Sequence, residues 1–253
     1  MKDEELLRYS RQIILPEFDY QGQSKLKQSR VLLIGLGGLG SPIALYLAAA
    51  GIGHLVINDF DNVDLSNLQR QIIHSTQTIG QKKVLSAQKH LDAMNPFVQV
   101  ESIDSKLSEQ DLAKQVKLAD IIIDASDNFT TRFLINRLSV KYQTPLISGA
   151  AIRYEGQISL FNETEKSPCY QCLYEDNGQQ EDLTCSANGV LGPLLGVIGS
   201  MQAIEAIKYL VGFGQSLSGK LLIFDAKQMF WRELKLAKDP ECPICNQLTF
   251  NKI

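Results

Sequence analysis

Three groups of residues in the 253-residue chain have types and spacings that could do chemistry. The first is Gly35-Leu36-Gly37-Gly38-Leu39-Gly40, a GxGxxG turn that follows an apolar run, with Asp59 and Asp61 closing the next apolar run. Such glycines let the backbone approach a phosphate at a helix N-terminus, and the acidic residue can hold ribose hydroxyls. The plainer reading is a turn that only packs a helix on a sheet. The motif does not choose the nucleotide, because an NAD(P)-dependent oxidoreductase opens in the same way.

The second group discriminates. Arg70 ends the run Asp64-Leu65-Ser66-Asn67-Leu68-Gln69-Arg70, and Lys83 follows Gly80-Gln81-Lys82 at the start of a helical pattern. Two cations near a nucleotide could neutralise a triphosphate and stabilise charge as pyrophosphate leaves. Hydride transfer needs them less. Asp127-Asn128 lies just past the apolar run DIIIDAS, at the carboxyl edge where open α/β sheets place ligands. A carboxylate there can hold Mg2+ with phosphate oxygens. Taken singly, Arg70 and Lys83 read as solvated charges and Asp127 as a helix N-cap.

The third group is Cys169-Tyr-Gln-Cys172 and Cys242-Pro-Ile-Cys245, two CxxC knuckles that can place four thiolates on one structural zinc. Redox couples are the competing reading. Cys185 is left over within Leu183-Thr184-Cys185-Ser186, and a lone cysteine is by default an inert thiol. The three histidines, His54, His74 and His90, have no ligand spacing and are expected in structural or surface roles.

The elements that must position these groups follow from periodicity. Val31 to Gly35 is a continuous apolar run, as in a strand buried on both faces. Ser41 is expected as N-cap, with Pro42 in the first turn of a helix running to Gly51. A strand at His54 to Asp59, a helix from Gln81 to Met94, a strand near Val98 to Ser102, a helix through Leu112 to Leu118 and a strand at Asp120 to Ser126 continue the alternation. This predicts a Rossmann-like, doubly wound, mainly parallel α/β sheet. After Pro145, LIS, IRYEGQISLF, KLLIFDA and QMFWRELKL read as hairpin-like strands that extend the sheet antiparallel in the C-terminal half. Asn162 to Asn188 is long, polar and aperiodic, the character of a functional loop.

Composition narrows the classes. With 44% hydrophobic residues the chain can bury one large core, and a net charge of -3 with dispersed basic residues shows neither a nucleic-acid footprint nor a polybasic membrane patch. MKDEELLRYSRQIIL is acidic where a secretory signal is basic, so the protein is expected to begin near Met1. The most apolar stretch, Ala187 to Gly214, is broken by Pro193, Gln202, Glu205 and Lys208, as in a buried helix. Five cysteines without a targeting segment suit a reducing compartment, and the expected location is cytoplasmic.

In order from about Arg8 to Cys245, RYSRQIILPEFDYQGQSKL, GLGGLG, NDFDNVDLSNLQRQ, GQKKV, DASDN, SGAAIRYEGQ and the paired CxxC motifs resemble the MoeB/ThiF/HesA family, bacterial relatives of the ubiquitin-activating enzymes. The resemblance implies an adenylyltransferase. A ubiquitin-like sulfur-carrier protein ending in Gly-Gly, MoaD-like or ThiS-like, would offer its carboxylate to Mg-ATP and release pyrophosphate, for molybdenum-cofactor or thiamine biosynthesis. By position, Gly38 approaches the nucleotide, Asp59 holds the ribose, Asn67, Arg70 and Lys83 contact phosphates, and Asp127 is the magnesium and catalytic carboxylate. Gly40, Asp61, Ser66 and Asn128 complete the implied nucleotide-binding set. Arg11 matches an arginine that reaches across a homodimer into the neighbouring phosphate site. Cys185 matches a cysteine that some members link covalently to the activated carrier and others do without.

The resemblance implies one unit over residues 1–253, with a helical arm (1–28), a nucleotide-binding half (29–150) and a carrier-binding half with the zinc knuckles (151–253). YSRQI and LYEDN are ThiF-like, whereas IIHSTQTIGQKKV and SGAAIRYEGQ favour the MoeB type. The chain ends soon after Cys245, so sulfur is expected from a separate donor protein. A family member acting on a modified tRNA base would also suit these motifs. A non-catalytic scaffold would leave the phosphate and metal residues without a purpose.

Overall fold

Val31, Leu32 and Leu33 are completely buried and Ile34 nearly so, which places this strand at the centre of a sheet covered on both faces. The computed structural model describes residues 1–176 and 188–246. An arm of three helices, α1 (Asp3–Arg8), α2 (Ser10–Ile13) and α3 (Asp19–Gln28), leads into β1 (Arg30–Ile34), α4 (Gly40–Ala50) and β2 (His54–Asn58). The alternation continues through α5 (Lys83–Met94), β3 (Gln99–Ile103), α6 (Glu109–Leu118), β4 (Ile121–Asp124), α7 (Phe129–Tyr142) and β5 (Leu146–Ile152). Then come β6 (Glu155–Phe161), α8 (Gly192–Val211), β7 (Lys220–Asp225) and β8 (Phe230–Lys235).

The strands form one eight-stranded sheet in the order β3-β2-β1-β4-β5-β6-β7-β8. The first five strands in chain order pair parallel, and β6, β7 and β8 add antiparallel. Successive residues of β1 serve opposite cores, as a two-residue period requires. Val31 and Leu33 pack with Ile43 and Leu47 of α4, Val84 of α5 and Ile198 of α8. Leu32 and Ile34 pack with Val116 of α6 and Phe133 of α7. The doubly wound expectation and its antiparallel extension are what the chain folds into.

Local details differ from the sequence reading at the helix starts. Ser41 is not the cap of α4: the glycine turn coils straight into the helix, with Leu39 already in the helical region (φ -76°, ψ -47°). The Ser41 hydroxyl instead donates to the Gly37 carbonyl at 2.7 Å. At α7 the cap is Asn128, whose Oδ1 accepts from Thr131 N at 2.9 Å, and Asp127 is left out of the helix. The helix Gly192–Val211 is long and apolar enough to cross a membrane by length and composition alone, yet half of it is buried. It is a core helix, in which Glu205 pairs with Lys208 at 2.7 Å and accepts from Leu217 N.

Candidate active site

From β1 the chain crosses outward to β2 and β3, and from β4 it crosses the other way to β5. The carboxyl ends of β1 and β4 therefore flank the switch point where such sheets bind ligands. The glycine turn leaves β1, and Ala125-Ser126-Asp127-Asn128 leaves β4. The two segments touch at Gly35, where φ is +94° and an added Cβ would lie 2.7 Å from the Ala125 carbonyl oxygen. Only glycine suits that backbone and that gap.

A cavity of about 500 Å³ opens there, lined by Gly38, Asp59, Asp61, Arg70, Lys83, Asp127 and Asn128 among others. The Asp59 carboxylate is fixed by two backbone donors, Leu36 N at 2.8 Å and Asp61 N at 2.9 Å. Buried Lys83 donates to Asp61 at 2.8 Å and lies 3.9 Å from Asp59. Arg70 is held by the carbonyl of Ser66 at 3.1 Å and the Oδ1 of Asn67 at 2.8 Å. Asp127 is exposed and has no hydrogen bond or ion pair among the described residues.

Other sequence-derived candidates lie outside the lining. Gly40 is beneath the turn, where a Cβ would meet the Gly35 carbonyl at 2.0 Å. Ser66 and Asn67 also lie outside it, and meet Arg70 through the Ser66 carbonyl and the Asn67 Oδ1. Arg11 is exposed on α2 and lines no part of the cavity. Cys185 lies outside the described residues.

Several lining residues carried no local signal in the sequence. Lys106, Arg132 and Arg232 bring further positive charge to the cavity, and Gln71 is buried beside the glycine turn. The lining also includes Glu155, Gly156 and Gln157 of β6 and the aromatic residues Tyr170 and Tyr174. Gln157 donates to the Tyr174 hydroxyl, and Arg232 pairs with Glu155 at 3.1 Å on the rim. An arginine inside the apolar pattern Phe133, Ile135, Leu138 of α7 was the one signal that could have flagged Arg132.

His74 has a structural role next to the site. Its Nε2 lies 3.2 Å from the Leu36 carbonyl and its Nδ1 3.0 Å from Ser86 Oγ. A carbonyl only accepts, so Nε2 carries the proton and Nδ1 accepts from the serine. Burial holds the ring below the usual histidine range.

The four knuckle cysteines converge. Their sulfurs all lie within 4.8 Å of one another, with Cys169–Cys242 at 3.6 Å, Cys172–Cys245 at 3.5 Å and Cys169–Cys172 at 3.9 Å. Tetrahedral thiolates about 2.3 Å from one metal are about 3.8 Å apart, so spacing and donor set both fit zinc. Hydrogen bonding between neighbours pushes the Cys169 thiol above the usual cysteine range and draws Cys172 below it.

Comparison with known proteins gives the same picture. The chain is 48% identical over 247 residues to the molybdopterin-synthase adenylyltransferase of Escherichia coli K12, covering 98% of this chain and 99% of that protein. It is 44% identical over 245 residues to the sulfur carrier protein ThiS adenylyltransferase of the same organism, covering 97% of each. The crystal structure of E. coli MccB with ATP superposes with a TM-score of 0.82 at 24% identity, over 94% of this chain and 73% of that one, which establishes the shared fold. The ThiF family model matches residues 9–244, and the chain belongs to the ThiF family.

Proposed function

We propose that this protein is an ATP-dependent adenylyltransferase acting on the C-terminal glycine carboxylate of a ubiquitin-like sulfur carrier, for molybdenum-cofactor or thiamine biosynthesis. The observation that carries the reading is one cavity at the switch point holding Asp59, Arg70, Lys83 and Asp127 together. The names of the two adenylyltransferase relatives support the substrate class.

In this reading a carrier carboxylate oxygen attacks the α-phosphorus of ATP. The bond from that phosphorus to its bridging oxygen breaks, and pyrophosphate leaves with the electron pair. Asp59, preset by its two backbone donors, accepts from the ribose hydroxyls. Arg70 and Lys83 face the phosphates and offset the charge that accumulates on the leaving group. Asp127 and the phosphate oxygens would hold Mg2+, which when bound spreads that charge further. The part of the cavity lined by Glu155, Gln157 and Tyr174 admits a narrow glycine tail. Arg11 acts across a homodimer in the partner's cavity, the carrier docks on residues 151–253, and a separate protein donates sulfur in the cytoplasm. Zinc on Cys169, Cys172, Cys242 and Cys245 is structural.

The test is carrier-dependent exchange of labelled pyrophosphate into ATP, using one molybdopterin-type and one thiamine-type carrier. Exchange with either supports the reading and names the carrier. No exchange with both, together with tight NAD binding, would overturn it in favour of an oxidoreductase.

A further inference from the structure

No described residue holds the Asp127 side chain, so its position depends on the residues to either side, the α7 cap Asn128 and Ser126. Ser126 is bound at three atoms. Its N and Oγ both donate to Asp124 Oδ1, at 2.9 and 2.6 Å, and its carbonyl accepts from Arg132 Nη2 at 2.7 Å. Asp124 is 1% exposed and Arg132 9%. The same guanidinium also donates to the Gly149 carbonyl at 3.3 Å and the Tyr170 hydroxyl at 3.4 Å, and its Nε lies 3.9 Å from Asp124. Its donors are directed at the chain's own oxygens, which suits a clamp and leaves phosphate recognition to Arg70 and Lys83.

The clamp continues outward. Tyr170 is 2% exposed, and its backbone N donates to Asn136 Oδ1 at 2.9 Å. Asn136 Nδ2 in turn donates to Cys169 Sγ at 3.6 Å. One hydrogen-bonded path thus runs from the four-cysteine cluster through α7 to the loop that carries Asp127. A buried arginine is costly unless its surroundings are built for it, and here they join two separate parts of the fold.

We propose that Arg132 is a positioning residue for the Asp127 carboxylate, and that Tyr170 couples the four-cysteine cluster to it. The cluster then sets the geometry of the nucleotide cavity as well as anchoring the C-terminal segment. The proposal rests on the role given to Asp127 above.

The variants are Arg132→Lys, Tyr170→Phe, Asp127→Asn and the Arg132→Lys/Asp127→Asn pair. Two quantities are read: kcat and KM for ATP in pyrophosphate exchange, and the Mg2+ concentration giving half-maximal ATP binding without carrier. Lysine keeps the charge but cannot reproduce the fork. A carboxylate displaced by about 1 Å costs about 10²-fold, so Arg132→Lys lowers kcat by that order and raises the Mg2+ midpoint, with KM for ATP within about threefold. Tyr170→Phe moves both quantities the same way by about fivefold. If Arg132→Lys does not melt cooperatively, Tyr170→Phe, which removes one oxygen, carries the test. Because Arg132 acts through Asp127, the double variant is no slower than Asp127→Asn alone. A multiplicative loss in the double variant, or an unchanged kcat and Mg2+ midpoint in Tyr170→Phe, would overturn the proposal. Parent-like exchange by Asp127→Asn would instead remove the role of Asp127, and the clamp's catalytic purpose with it.

Discussion

Replacing Lys83 with methionine keeps most of the apolar stem and removes the charge. The Nζ lies 2.8 Å from Asp61 and 3.9 Å from Asp59, with side-chain exposures of 6% for Lys83, 10% for Asp59 and 54% for Asp61. At an effective dielectric of about 20 these attractions are worth about 6 and 4 kcal/mol before desolvation is counted. Burying the ammonium cancels most of that sum, and the exposed half of Asp61 is screened by solvent, leaving a net loss of about 1–3 kcal/mol. In a chain of this size each kcal/mol is about 2–4 °C, so the melting temperature falls by about 2–12 °C. In pyrophosphate exchange, removing a cation that faces the leaving group lowers kcat by about 10²–10³-fold. Lys83→Arg restores the charge and recovers melting to within about 2 °C. A methionine variant that melts within about 1 °C of the parent and exchanges within about threefold of it would refute both the ion-pair arithmetic and the catalytic role.

Other expectations follow from single features. Cys172→Ser removes one of four thiols, and metal analysis should find the bound metal lost together with a lower melting temperature; full retention of metal would refute the joint site. Gly35→Ala meets both an unfavourable φ and the Ala125 carbonyl, whereas Gly80→Ala, at φ +83° with nothing within 4 Å, meets only the first. Denaturant midpoints should place the Gly35 variant about 1–3 kcal/mol below the Gly80 variant, and equal losses would show that the contact yields freely. For His74 the folded ring titrates below its unfolded value near 6.5, so the unfolded chain binds more protons as pH falls through that value and stability declines. Urea unfolding from pH 7.5 to about 5 should show a shallower decline in His74→Gln, and an identical slope would remove the contribution. Arg11→Ala should slow exchange without changing melting, and mixing it with an Asp127→Asn variant should restore part of the activity if the two residues act across a dimer.

The parts of the molecule legible in the sequence are those with short-range causes. The apolar run of β1 and the glycines that follow it are neighbours in the chain, Asp59 directly follows the next apolar run, and the two members of each knuckle are three residues apart. The C-terminal strands announced themselves through their aromatic and β-branched residues. What was not legible depends on distant contacts. The Arg132 clamp needs Gly149 and Tyr170, and its sequence context is ordinary helix. Ser66 and Asn67 sit in a motif that suggests a ligand, yet the Ser66 hydroxyl donates to Asp64, and a 3-10 turn over Leu65–Asn67 brings the Ser66 carbonyl and the Asn67 Oδ1 to the Arg70 guanidinium. The N-cap of α4 is misleading because serine before proline is a common helix start, while here the glycine turn is already helical at Leu39.

A metal held by the cysteine cluster would also make the chain a ring. Cys169 and Cys242 are 73 residues apart in sequence, as are Cys172 and Cys245, and the span between them contains α8, β7 and β8. Closing a ring of that length removes conformational freedom from the unfolded chain worth about 4 kcal/mol by the chain-entropy estimate. A disulfide would close it permanently under oxidising conditions, whereas thiolates around a cation close it reversibly and under reducing ones. With a metal bound there, the last two strands of the sheet would be fastened by a cross-link whose strength follows the free metal concentration, about 1.4 kcal/mol for each tenfold change above the dissociation constant.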